Sequence, residues 1–115
     1  MGTADVDQTF HKHLPVVIQR KKFLGKTPPH RAYIQDINLH GGRLFTTEPL
    51  KENCLICITF RDPDSDTNRT LRAKVTRANC ILYLGKRVFQ AHMEFRKLTK
   101  HDEVMLQNIF YASPR

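Results

Sequence analysis

Short β-branched and aromatic stretches separated by chain-breaking residues run from residue 13 to residue 98, and this rhythm limits the fold more than any other feature. "HLPVVIQRKKFLG", residues 13–25, reads as a first strand, and "TPP" breaks it. "HRAYIQDIN" then alternates, with Ala32, Ile34 and Asp36 toward one side and Tyr33 and Ile37 toward the other. "RLFTT" is a short strand stopped by Glu48-Pro49, and "CLICITF" is a nearly continuous apolar strand. "RDPDSDTNR" is a turn-rich hairpin loop. "TLRAKVTRA" sets Leu71, Ala73, Val75 and Arg77 on one face, and "CILYLG" and "RVFQAHMEF" form a last pair of strands around Gly85. The pattern then changes. Thr99 is placed to cap a helix with Asp102 three residues on, and Met105, Leu106, Ile109 and Phe110 fall on one helical stripe before Pro114. The expected fold is all-β: a six- to seven-stranded antiparallel barrel whose open end is covered by a C-terminal α-helix. Residues 1–12 are expected to be a flexible tail, 13–98 the barrel, and 99–112 the helix of the same domain.

Several classes of function are excluded at this stage. The chain has 115 residues, about 40% of them apolar, which suits one modest core. No apolar run reaches the roughly 18–20 residues that span a bilayer. The start, "MGTADVDQTF", has no signal-peptide pattern, and Val6 stands where N-myristoylation needs Ser or Thr. The expectation is a cytoplasmic protein without membrane insertion, a monomer or weak dimer. The three cysteines, Cys54, Cys57 and Cys80, are too few and too unpaired for a disulfide framework. A zinc site from Cys54, Cys57, Cys80 and His92 is disfavoured, because an offset of three puts the first two sulfurs on opposite faces of a strand; buried free thiols are expected instead. Asp62, Asp64, Asp66 and Asn68 imitate half of a calcium loop, but Thr67 replaces its glycine and Ala73 its bidentate glutamate. His11 and His13 share a face if extended and make a weak metal pair. No nucleophile–base pair or paired carboxylates can be assembled, and no glycine-rich nucleotide loop is present, so no enzyme and no cofactor are expected.

The charge points elsewhere. The formal net charge is +8, and residues 11–43 hold seven Lys/Arg against the single acid Asp36. Such a field attracts phosphate-bearing partners. At its centre lies "QDINLHGGRL", residues 35–44, with an acid, an amide and two adjacent glycines, more polar groups than a plain strand turn requires. A carboxylate can accept from guanine N–H groups, and glycines permit close backbone approach or positive φ.

"DINLHGGRL" resembles the D-x-S-x-x-G turn of PilZ domains, bacterial receptors for cyclic di-GMP. Asp36 matches the aspartate, Asn38 stands at the serine and Gly41 matches the glycine. "EPLKENCLICITF", "LRAKVTR" and "VFQAHMEFRKLTKHDEVMLQNIF" resemble the following strand, the central strand, and the last strand with its closing helix, so the resemblance covers roughly residues 13–112. It implies a PilZ-like six-stranded barrel and a non-enzymatic receptor that binds cyclic di-GMP through Asp36, Asn38 and Gly41. The family's R-x-x-x-R motif is missing: Gln8 and Lys12 stand nearest to its place, and no two arginines in the chain are four apart. Lys12 and Arg20 are the basic candidates, though lysine lacks the bidentate fork of arginine. The resemblance therefore implies weak binding. Its alternative is a degenerate domain that binds no cyclic di-GMP and serves as a protein-interaction adaptor in type IV pilus or motility machinery. A third reading, a basic nucleic-acid-binding barrel, lacks an aromatic platform: Phe10, Phe23 and Tyr33 are the aromatics of the basic half.

Overall fold

The computed structural model describes residues 14–22, 24–62 and 66–112, with backbone alone for 110–112. In chain order it contains β1 (Leu14–Arg20), β2 (His30–Gln35), β3 (Gly41–Thr46), β4 (Leu55–Asp62), β5 (Thr67–Tyr83), β6 (Lys86–Arg96) and the helix α1 (Lys100–Ala112). The strands close into an antiparallel barrel in the order β1-β2-β3-β6-β5-β4, and pairing of β1 with β4 completes the ring. Inward-facing Ile18, Ile34, Leu44, Ile58, Phe60, Leu71, Val75 and Ala91 fill the interior. Each large side chain buried this way contributes about 1.5–3 kcal/mol, which lets a barrel of this width be a packed core.

There are six strands, at the lower end of the expected range. "TLRAKVTRA" and "CILYLG" belong to one strand, because Thr76 forms a bulge that absorbs the break between them. Val75 pairs with Met93 and Arg77 with His92, leaving Thr76 as the extra residue. The bulge reverses the alternation, so Arg77 points to solvent and Ala78 packs against the core, opposite to the expected face. A second reversal occurs at Asp36, whose φ of 55° is left-handed. Asp tolerates that region better than most residues, and the reversal sends Ile37 into the core, where it is fully buried. The first strand is shorter than expected. After Arg20 the chain turns back through Gly25, at φ 84°, so that Lys21 bridges to Lys26 and Lys22 N–H bonds Gly25 O at 2.9 Å. The thiols also differ from expectation: Cys57 is buried, Cys54 is half-buried, and Cys80 is exposed on β5.

Where β3 meets β6 the backbones leave no space for a side chain. Gly41 pairs with Glu94, and a Cβ built on Gly41 would sit 1.9 Å from the Met93 carbonyl oxygen. Neither Gly41 nor Gly42 has positive φ. The glycines open β3 and permit close packing between strands, whereas a left-handed turn was one expected role for them. Gly41→Ala should therefore cost about 3 kcal/mol as an overpacked backbone contact. Thermal unfolding checks this through a loss in Tm on the order of 10 °C.

The helix begins as its sequence specifies. Thr99 N–H donates to Asp102 Oδ2 at 2.9 Å, and Asp102 N–H donates to Thr99 Oγ1 at 3.1 Å, a complete capping box. Met105, Leu106 and Ile109 are buried in the barrel's core cluster; the side chain of Phe110 lies outside the described residues. Arg69 Nε also donates to Asp102 Oδ1 at 2.8 Å, fastening the helix start beside the β4–β5 hairpin. Burial by itself pushes the Asp102 carboxyl up. The Thr99 N–H, the Arg69 guanidinium, the Thr99 side chain and the Arg69 charge together outweigh it and hold the carboxyl below its usual 3.8. A folded-state pKa below the unfolded one means the unfolded chain binds more protons in the interval between them. The contribution is thus complete above pH 3.8 and lost as pH falls through the folded value. Asp102→Asn should flatten the acid limb of a stability-against-pH curve below about pH 4 and leave the neutral limb parallel to wild type.

Candidate functional site

Residues 36–42 and the bulge on β5 meet on the outer surface of the barrel. They line an open groove of about 390 Å³, with Asp36, Asn38, His40, Gly41, Gly42 and Arg43 on one side and Thr76, His92, Met93 and Glu94 on the other. Three of the residues singled out from the sequence, Asp36, Asn38 and Gly41, therefore come together at one place. Local chemistry holds them there. Asn38 Oδ1 accepts from His40 N–H at 2.8 Å and Gly41 N–H at 3.2 Å. Asn38 N–H donates to Gly41 O at 2.8 Å, closing the turn. Phe95 N–H donates to His40 O at 2.8 Å and pins the turn to β6. The amide oxygen of Asn38 thus builds the turn, as Asn side chains often do.

Arg43 is a groove residue that the sequence pattern does not single out. Its Nε donates to Asp36 Oδ2 at 2.9 Å, its Nη2 contacts the same oxygen, and its guanidinium carbon lies 5.7 Å from the Phe45 ring centre. The available signal was register. Arg43 pairs with Gln35 across the β2–β3 hairpin, on the outward face next to Asp36. Thr76 enters the groove at the bulge, and His92 and Glu94 enter it by pairing with Arg43 and Gly41 of β3; no local motif announces either.

The groove holds two carboxylates, Asp36 and Glu94, against one guanidinium. Its described side chains suit a hydrogen-bond-donating base edge better than a phosphate. Arg20 is not brought to it. Its Nε and Nη2 donate to Glu48 Oε2 at 3.0 and 2.8 Å, and His30 Nε2 lies 3.0 Å from Glu48 Oε1. Leu14, which faces Ile34, marks the groove end of β1; Arg20 is six residues further along, about 20 Å at strand rise. Lys12 lies outside the described residues, as do Gln8, Phe10, His11, His13, Phe23 and Asp64. Among the described residues no three His, Cys, Asp or Glu side chains converge as a metal site, and no helix is long and apolar enough to cross a membrane.

No protein-family model matches the chain, and no curated protein matches it either. Solved structures do resemble its fold. The PilZ domain of YcgR from Escherichia coli, solved with c-di-GMP, superposes with a TM-score of 0.63 at 15% identity, covering 91% of this chain and 88% of that one. The K. pneumonia MrkH–c-di-GMP complex superposes with a TM-score of 0.64 at 17% identity, covering 90% of this chain and 48% of MrkH. Apo MrkH gives 0.63 at 18% identity over 87% of this chain and 46% of its own, so this chain spans about half the length of MrkH. At these identities the likeness establishes the architecture: a closed six-stranded barrel with a C-terminal helix, as in PilZ domains.

Proposed function

We propose that the chain is a non-enzymatic PilZ-type receptor domain that binds cyclic di-GMP weakly, micromolar or poorer, in the groove at residues 36–43. The observation that carries this reading is the convergence of Asp36, Asn38 and Gly41 in a hydrogen-bonded turn on the outer wall of a barrel with the PilZ architecture. YcgR and MrkH, which share that architecture, are solved with c-di-GMP. In this reading Asp36 accepts from a guanine edge and the glycine backbone admits the base. Arg43 must release or share Asp36 for this to happen.

The phosphates need more positive charge than Arg43, the one guanidinium among the groove's described residues, supplies. Lys12, two residues before Leu14 in the sequence, is the candidate assigned to them. Arg20 is tied to Glu48 and takes no part. Each charge-assisted bond that a missing arginine would have made is worth about 1.5–3 kcal/mol. Two such losses move a sub-micromolar site to tens of micromolar or beyond.

A second reading has its own support. The Arg43–Asp36 pair and the nearby Glu94 leave the groove already satisfied and poor in positive charge, which favours an adaptor that binds a protein partner and no nucleotide.

Calorimetric and NMR titration with cyclic di-GMP separates the two. For the receptor, shift changes should localise to residues 36–43. Asp36→Ala should abolish binding, Lys12→Ala should weaken it and flatten its salt dependence, and Arg20→Ala should leave it unchanged. Nanomolar affinity would contradict the account of the missing arginines. No shift change at millimolar ligand would leave the adaptor.

A further inference from the structure

The β5–β6 hairpin reaches past the rest of the barrel. Pairing of β4 with β5 ends at Leu55 and Lys74, and pairing of β3 with β6 ends at Thr46 and Phe89. Beyond those points Ile81–Val88, Leu82–Arg87 and Tyr83–Lys86 pair only with each other. Three residue pairs extend about 10 Å beyond the last pair with β3, and on one face Ile81, Tyr83 and Val88 border a groove shared with Tyr33 and Phe45 of β2 and β3. The tip is apolar: Leu82, Tyr83 and Leu84 are 76%, 62% and 86% exposed.

Leu84 also occupies an unfavourable conformation. It and Gly85 are the two central residues of the turn, with φ of 52° and 80°. Turns with two positive φ values favour Asn, Asp or Gly at the first position. Leucine there costs folding free energy and, being almost wholly exposed, recovers little by packing. A strained, exposed apolar residue points to a role outside the fold.

Charge completes the picture. Residues 67–93 contain six Lys/Arg and no Asp or Glu. Of these, Arg77, Lys86 and Arg87 on the hairpin form no ion pair with a described residue. The tip presents apolar groups on both sheet faces and around the turn, since Leu82 and Tyr83 alternate on β5 and Leu84 caps them. A protein groove pressed against one face would leave the opposite one wet, whereas lipid surrounds an inserted tip.

We infer that the β5–β6 hairpin is a membrane-interface anchor, with Leu82, Tyr83 and Leu84 entering the headgroup–acyl boundary of an anionic bilayer and Lys86 and Arg87 held at its phosphates. The projection matches the interfacial depth of about 5–10 Å used by peripheral elements. Lys86 and Arg87, directly across from Tyr83 and Leu82, extend their charged ends back to the headgroups while their stems stay apolar. Tyrosine suits the boundary layer.

The test uses the full chain and vesicles of phosphatidylcholine with or without phosphatidylglycerol. Co-flotation should show binding to the mixed vesicles, weakened by salt, and little to phosphatidylcholine alone. Leu84→Asn should keep or raise Tm, because Asn suits the turn, while Leu82→Ser with Leu84→Asn should reduce vesicle partition roughly tenfold or more. Lys86→Ala with Arg87→Ala should reduce it by a similar factor on anionic vesicles. Tyr83→Trp emission should shift to the blue on adding mixed vesicles. No binding of the wild-type chain to the mixed vesicles would overturn the anchor and leave an acidic protein as the hairpin's partner. Binding that the folded tip variants retain in full would also overturn it, because the basic face alone would then carry the association.

Discussion

The seam between β3 and β6 organises this molecule. Strands β1, β2 and β3 form one meander and β4, β5 and β6 another, and the sheet closes only because the two are joined twice, at β3–β6 and at β1–β4. At the first join the backbone of Gly41 lies so close to the Met93 carbonyl that no side chain fits. The same contact brings the turn at residues 36–40 against β6 and lets Phe95 N–H hold His40 O. The groove is the outer rim of that seam. A site made this way takes its shape from the barrel closure, and its most constrained member, Gly41, acts through what it lacks.

Much of this was legible in the residues. Strand and breaker alternated clearly enough to give the antiparallel barrel, and Thr99 with Asp102 marked the helix start, where the capping box is found. The convergence of Asp36, Asn38 and Gly41 follows from their sharing one turn. What escaped was set by neighbours distant in sequence. The bulge at Thr76 arises from register against β6, and without it "CILYLG" reads as a separate strand. The left-handed φ of Asp36 undoes a simple alternation and buries Ile37. Arg20 is basic and near the turn in sequence, yet strand direction carries it to the other end of β1, beside Glu48.

Positive charge is also partitioned in a way that a net value of +8 conceals. Arg20, Arg43, Arg61 and Arg69 are each held by a carboxylate, so four guanidinium groups serve as fasteners. Exposed pairs such as Arg61 with Asp66 add little to stability, whereas Arg69 with the largely buried Asp102 fixes the helix to the barrel. Among the described residues, the long-range field arises from cations with no ion pair to another described residue, Arg77, Lys86 and Arg87 of the β5–β6 hairpin among them.

The strand order has a kinetic consequence. The β4–β5 and β5–β6 ladders join segments adjacent in sequence through short turns. The β1–β4 and β3–β6 ladders instead tie residues 14–20 to 55–62 and 41–46 to 86–96. Loop-closure entropy is lost before such non-local ladders return any stabilisation, so chains of this kind fold slowly for their size. The meander of β4, β5 and β6 is the segment best able to form early, and the turn at residues 36–40, whose other hydrogen bonds are local, gains its bond from Phe95 only when the ring closes around it.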